Sequence, residues 1–364
     1  MKSTITKKNN LFFWFIFLFF QIILYKILCN SYYFIEKLYI PCFKYFSKIY
    51  SQLFSYFSFS FGDRLYFVSI ILFLFFLISI IKGIKNKNFK IVELKLTLIL
   101  KIVNIIVFFY HFSWGFLYYS VSLNEIFPAK NCTQKELKLL AIYYLNESIK
   151  TRKYCSEDTK SIYKFKYSDD SLSTKLHTIS IPKILPLNES HAKKNIKKSL
   201  FSPVLNYVGV AGYFNPFTFE AQYNSEIPDT GKAITLAHEM AHQLGYAQEN
   251  EANFVGFLIC KNSSDANIKY SANYMALKYL LTEIYPSDSA FVKNIITKYS
   301  FQMKQDRLFE KKYFKKYQGK IEESFSFLND GFLKMNNQIG VKSYNMFVQL
   351  LVGYSRKYEK NNIK

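Results

Sequence analysis

The stretch His238-Glu239-Met240-Ala241-His242 decides how this chain is read. Two histidines four residues apart stack on one helix face, close enough for both imidazoles to reach a single Zn²⁺. The glutamate beside the first histidine is placed to take a proton from a metal-activated water. Only five histidines occur in 364 residues, so this spacing concentrates the imidazole chemistry of the chain. The pattern requires a helix, and its flanks predict one. Ala233, Ile234, Leu236, Ala237, Met240, Ala241 and Leu244 recur at three- and four-residue steps and make one face apolar. Asp229, Thr230 and Gly231 offer capping residues after Pro228, and Gly245 offers a positive-φ stop.

Zinc needs a third protein ligand, with its fourth position left to water. Residues 248–260 read as the start of a second helix after a short turn. Glu249 and Asn253 share a face that Gly256 continues, whereas Glu251 points about 200° away from Glu249. Glu249 is therefore the favoured third ligand, with Asn253 supporting a ligating histidine and Glu251 the alternate. The His-Glu-x-x-His spacing is that of zinc-dependent peptidases. Glu249 to Asn253 (E-x-x-A-N) resembles the E-x-x-A-D segment of gluzincins, in which the glutamate is the ligand. Asn250-Glu251-Ala252 is similar to the N-E-A of thermolysin-type enzymes, but Val255 stands where those carry a supporting acid. Gln248 occupies the place where the metzincin pattern puts a third histidine, which argues against a three-histidine site.

His238 to Phe254 (HEMAHQLGYAQENEANF) resembles the signature of domain-of-unknown-function family 3810, a family of bacterial multi-pass membrane proteins. Gly212-Tyr213-Phe214-Asn215-Pro216-Phe217-Thr218 with Glu220-Ala221-Gln222 is similar to its G-x-x-N-P-F-T-x-E-A block. Gly340-Val341, Ser343-Tyr344 and Leu350-Leu351 resemble its C-terminal end. The resemblance covers nearly the whole chain. It implies a zincin-like metallopeptidase fold and carries no substrate with it.

Half of the residues are hydrophobic and 19% aromatic, heavy for a soluble 43.0 kDa protein. Three apolar stretches, at about 11–29, 65–81 and 96–119, are each long enough to cross a bilayer. The first has no small-residue cleavage site and is followed by further spans, so it reads as an anchor, not a signal peptide. Residues 1–119 are thus expected to form a three-helix membrane anchor and 120–364 a single α+β, mainly helical domain. Lys2, Lys7 and Lys8 precede the first span, and Lys82, Lys85, Lys87 and Lys90 follow the second. Positive-inside bias puts both groups in the cytoplasm and the C-terminal domain outside it, in the periplasm of an inner-membrane protein. Residues 30–64, with alternating aromatics and lysines, suit an amphipathic helix on the membrane surface.

The net charge of +22 does not indicate nucleic acid. Four arginines are present, the lysines are scattered, and phosphate recognition favours the arginine fork. Codon bias accounts for the excess of Lys, Asn, Ile, Phe and Tyr; membrane lipid remains an expected partner. The five cysteines form no metal pattern, and Cys132 and Cys155 are read as free thiols, although a bridge between them suits an oxidising compartment.

Within the C-terminal domain, 133–154, 190–201, 272–284, 289–298, 320–329 and 341–358 read as helices. Residues 207–213 and 217–223 read as a strand pair broken at Asn215-Pro216. By family analogy, 217–223 is the edge strand that holds extended substrate, with Glu220 binding a substrate amine. Tyr344 and Tyr270 are candidates to hold the oxyanion; His177 and His191 read as surface residues. The expected function is zinc-dependent hydrolysis of peptide or protein substrates, with Glu239 as base and one Zn²⁺ on His238, His242 and Glu249. The alternatives are a non-catalytic membrane scaffold with a structural zinc, or an intramembrane protease. The polar flanks Asp229, Lys232, Gln243 and Gln248 argue against the last.

Overall fold

A computed structural model of the chain describes residues 10–129, 132–187, 196–336, 338 and 346–359. Its apolar N-terminal sequence forms α1 (Asn10–Cys29), α3 (Phe61–Lys85) and α4 (Phe89–Ser113). Residues 11–29 of α1 and all of α3 are long and apolar enough to cross a membrane. α4 packs against both and carries Glu93, Lys95 and Lys101 along its length. It ends at Ser113, short of the limit at 119 expected from hydropathy alone. Trp114 leaves helical geometry, and Gly115–Tyr119 continues as a tight 3₁₀ turn that buries Phe116, Leu117 and Tyr118. Apolar residues there fill a protein core instead of facing lipid, a distinction hydropathy does not make.

The connection between α1 and α3 is helical, as the amphipathic pattern predicts, and one side of it meets protein. It forms a π-helical segment (Tyr33–Tyr39) and α2 (Ile40–Ser55), which bury Ile35, Tyr39, Ile40 and Phe43. Its apolar side packs on protein: the Phe43 ring lies 5.9 Å from that of Phe219. Part of the aromatic alternation serves this contact, while Leu38, Tyr45, Ile49 and Leu53 stay exposed on the rest of the segment.

The sheet has three strands in the order β1-β3-β2, formed by Ile196–Lys198, Glu220–Tyr223 and Gly212–Asn215 respectively. β1 runs parallel to β3, pairing Ile196 with Ala221, and β2 runs antiparallel to it, pairing Asn215 with Glu220. Two expectations change here. The basic stretch expected to be helical to Phe201 supplies β1 instead, while 190–195 lies outside the described residues. β3 is consequently the central strand, bonded on both sides, and cannot serve as the substrate-binding edge. The sequence between the β-rich segments, Ser202–Tyr207, is the short helix α8.

The remainder is helical: α5 (Leu123–Ile126), α6 (Gln134–Arg152), α7 (Asp169–Thr178), α9 (Asp229–Leu244), α10 (Glu249–Lys261), α11 (Ala266–Ile284), α12 (Ser289–Thr297), α13 (Phe301–Tyr317), α14 (Lys320–Met335) and α15 (Phe347–Tyr358). α6 begins with a capping box in which the Thr133 hydroxyl accepts from Glu136 N–H and the Glu136 carboxylate accepts from Thr133 N–H. α13 escaped the sequence reading because its charges interrupt any apolar stripe. It is held by a buried ion pair, Asp306 accepting from Arg152 of α6 at 2.8 Å. All five cysteines are free; Cys132 Sγ–H donates to Ala129 O and Cys155 Sγ–H to Thr151 O.

α9 is the central helix. It packs on α10, α11, β3 and β2, and Ala233, Leu236, Ala237, Met240 and Ala241 form its buried face. Gly256 of α10 lies directly on it: a Cβ there would come within 2.8 Å of His238 N and 3.0 Å of the Ala237 carbonyl carbon. Backbone cannot yield as a flexible side chain can, so the two helices sit as close as glycine permits. Gly256→Ala should destabilise the fold by about 1–3 kcal/mol through overpacking. Chemical denaturation of the detergent-solubilised protein checks this; an unchanged midpoint would show that the contact does not set the helix separation.

Candidate metal centre

α9 presents His238 and His242 on one side, their ring centroids 4.6 Å apart and nearly perpendicular. Gly245, at φ 105°, ends the helix in the left-handed conformation. Four residues later α10 starts at Glu249, whose backbone N–H donates to Gln338 Oε1 at 3.2 Å. The reversal brings the Glu249 carboxylate to 3.3 Å from His238 Nε2 and 3.8 Å from His242 Nε2. Ligand atoms of His238, His242 and Glu249 all lie within 4.8 Å of one another.

Both imidazoles are oriented from behind. His238 Nδ1–H donates to Asn253 Oδ1 at 3.0 Å, and His242 Nδ1–H donates to the Tyr246 carbonyl at 2.7 Å. These bonds set the tautomer and leave each Nε2 lone pair on the side of Glu249. Two imidazole nitrogens and one carboxylate oxygen form a donor set that fits zinc with a position left open. The group can hold a metal ion.

Burial disfavours charge on His238, but the Glu249 carboxylate and Glu239 outweigh it and leave its pKa raised. His242 is lowered to about 4, by burial and then by His238. A neutral imidazole is the form that ligates. Glu239 is pushed up to about 8, chiefly by burial, with Glu249 adding to the shift and His238 opposing it. A dication beside it would favour the carboxylate form. Its Oε2 is buried without a hydrogen-bond partner among the described residues. Its Oε1 faces β2, where a Cβ at Gly212 would come within 2.6 Å of it.

Sequence reasoning missed the wall of the site. Trp114, just beyond the end of α4, sets its ring 5.3 Å from that of His242 and 4.6 Å from that of Phe214. Its Nε1–H donates to the Tyr118 hydroxyl at 2.9 Å. The only available signal was a tryptophan closing an apolar run, which hydropathy assigns to the membrane. Nor did a side-chain reading reveal the Tyr246 carbonyl, because main-chain acceptors have no sequence signature.

Other candidates are elsewhere. Glu251, the alternate ligand, turns away and accepts from Leu123 N–H at 2.7 Å and Ser122 Oγ–H at 2.8 Å. Burial pushes its pKa up to about 7. Glu220 is no substrate-binding edge charge. It is fully buried and accepts from Phe61 N–H at 3.1 Å, Gly62 N–H at 2.6 Å, Thr218 Oγ1–H at 2.9 Å and Lys197 Nζ at 2.5 Å. An edge charge was expected because only two strands were foreseen; the third encloses it. Tyr270 is buried and donates to Asp306 Oδ2 at 2.7 Å, which removes it as an oxyanion group. His177 sits half-buried at the end of α7, its Nδ1 2.7 Å from Ser173 O. Tyr344 and His191 lie outside the described residues.

Glu249→Ala should weaken binding of a divalent cation by at least about 100-fold, since even groups behind the ligands are worth about 10–100-fold. Glu251→Gln should leave the affinity unchanged while lowering stability, because it disturbs the buried turn at Ser122 and Leu123. Metal titration of the two purified variants side by side decides, and the opposite pattern would reverse the assignment.

A protein-family model described as a protein of unknown function (DUF3810) matches residues 40–352. No curated protein and no solved structure matches the chain. The matched region begins at α2 and takes in α3, α4, the sheet and the His/His/Glu group, so one family model spans both the apolar helices and the centre they border. With the greater part of its length matched, this chain belongs to the DUF3810 family.

Proposed function

We propose that the chain is a membrane-anchored, zinc-dependent peptidase of zincin-like fold that hydrolyses peptide bonds outside the cytoplasm. Glu239 carries the reading. It follows the first histidine of a His/His/Glu group and holds a buried carboxylate oxygen that no described residue satisfies. A purely structural metal site gains nothing from such an atom, and burying it costs stability.

A zinc ion held by His238, His242 and Glu249 would supply Lewis acidity, polarising a carbonyl and acidifying water towards a pKa of about 7. Asn253 and the Tyr246 carbonyl keep the two imidazoles in the ligating tautomer. Glu239 takes the proton of the attacking water and delivers it to the departing amine. β2, bonded only to β3 among the described strands and lying against Glu239, offers the edge on which an extended peptide would add by main-chain hydrogen bonds.

The proposed topology is supported by which helix ends meet the domain. The C-terminal end of α1, the N-terminal end of α3 and the C-terminal end of α4 all adjoin it: Cys29 is buried in its core, Gly62 N–H is bound to Glu220, and Trp114 borders His242. If α3 and α4 both cross the bilayer, their connection at 86–88 falls on the side away from the domain, where Lys82, Lys85, Lys87 and Lys90 favour the cytoplasm.

In the zinc-loaded protein, Glu239→Gln should retain the metal and lower peptide hydrolysis by about 100- to 10,000-fold, roughly 3–5 kcal/mol of transition-state stabilisation. Wild-type protein with stoichiometric zinc and no hydrolysis across a diverse peptide library would instead support a structural zinc on a membrane scaffold. A reporter fused after Lys364 and active only in the cytoplasm should stay silent; if it is active, the orientation is reversed or the span count is wrong.

A further inference from the structure

The amphipathic helix α14 carries an apolar stripe that is exposed along its length. Glu322, Leu333 and Asn336 form the side that meets the protein, with Leu333 and Asn336 buried. Glu323, Ser326, Asp330 and Lys334 follow next to it around the helical wheel. Opposite those four, on the other flank of the protein-facing side, Ile321, Phe325, Leu328, Phe332 and Met335 recur at steps of four and three residues and cover about 80° of the helical wheel. Every one of the five is exposed, Leu328 at 67% and Met335 at 77%. A soluble protein does not leave a continuous stripe of this kind in water without a reason.

The attachment of the helix indicates what covers the stripe. At its C-terminal end the Phe332 ring lies 6.3 Å from that of Tyr110, in the last turn of α4, and Tyr110 OH donates to Asn336 Oδ1 at 2.9 Å. At its N-terminal end Glu322 packs on Gly209, in the loop leading into β2. Tyr213 of β2 in turn donates to Asp63 in the first turn of α3. Both ends are thus tied to elements that adjoin the domain-side ends of the spans, one directly and one through β2. A helix of 16 residues, about 24 Å long, runs between these two ties.

We propose that α14 lies in the bilayer interface, with the Ile321/Phe325/Leu328/Phe332/Met335 stripe among the acyl chains at headgroup depth. This inference rests on the membrane-anchor reading, and is independent of whether the metal centre is catalytic. Aromatic and leucine side chains on one face with charged and small polar groups on another are what such a helix requires. The consequence for the metal centre is positional. Gln338, three residues beyond α14, accepts from Glu249 N–H, so a helix seated in lipid would hold the mouth of the site next to the membrane surface.

Leu328→Trp and Phe325→Trp test the proposal on the full chain in phosphatidylcholine proteoliposomes containing brominated lipid, with Ser326→Trp as the polar-face control. The wild-type emission of Trp14 and Trp114 is subtracted from each variant, and a separate Trp114→Phe sample, in which Trp14 of α1 is the sole tryptophan, reports on the anchor. The expected result is blue-shifted emission of the two stripe tryptophans and quenching by bromine at least about twofold stronger than at position 326. Quenching of Trp14 together with no quenching at 325 and 328 would overturn the proposal. In that outcome, a blue shift without quenching would mean that protein, either a second copy or 339–345 of this chain, covers the stripe, and a red-shifted emission would mean water. Absence of Trp14 quenching would overturn the anchor reading, and this inference with it.

Discussion

Gly256 lets the backbone of α10 rest on the backbone of α9 at His238, and the geometry of the centre depends on that contact. With the two helices at their closest separation, the first turn of α10 has one place to be, over the imidazoles of α9. Glu249, Asn253 and Gly256 lie on a single stripe of α10, spaced four and three residues apart. One helix face therefore supplies a carboxylate to the ligand cluster, a hydrogen bond to the imidazole behind it, and the gap that lets both approach. Packing and ligation are the same structural event here. A side chain at 256 would act on the candidate centre by pressing on the backbone of His238, away from its imidazole.

A second constraint joins the centre to the membrane-proximal sequence. The buried Glu220 carboxylate gathers Phe61 N–H and Gly62 N–H at the head of α3, Thr218 from its own loop, and Lys197 from β1. Asp63, one turn into α3, accepts from Leu200 N–H at 2.7 Å and from Tyr213 OH. A buried carboxylate with this many donors is costly to disturb, because each would lose its partner in a place water does not reach. The sheet that backs Glu239 is consequently fixed to the start of one apolar helix, while Trp114 fixes the end of another against His242. The apolar N-terminal helices are not a tether on which a separate domain swings; their ends form part of the floor and wall of the centre.

The sequence by itself determined what depends on short-range periodicity. The i, i+4 histidines, the apolar face of α9 and the stop at Gly245 follow from 3.6 residues per turn and from glycine's access to positive φ. The ranking of Glu249 over Glu251 came from the same helical wheel, and the structure brings the former to the histidines and turns the latter to Ser122 and Leu123. Apolar runs of sufficient length likewise announced the helices of the N-terminal region, because length and hydropathy are local properties.

Only the tertiary structure decided where those apolar faces went. Tyr39, Ile40 and Phe43 looked like membrane-surface residues and Trp114 to Tyr118 like the end of a span, yet both segments are buried against the sheet and α9. Hydrophobicity drives a surface out of water without naming its destination. The placement of Glu220 turned on a third strand, Ile196–Lys198, too short and too basic to announce itself; its parallel pairing moved 220–223 from the edge to the centre of the sheet. Strand neighbours, buried charge partners and main-chain acceptors such as the Tyr246 carbonyl come from segments far apart in the chain. Local sequence holds no record of such long-range juxtapositions, and that is why the wall of the centre became legible only in three dimensions.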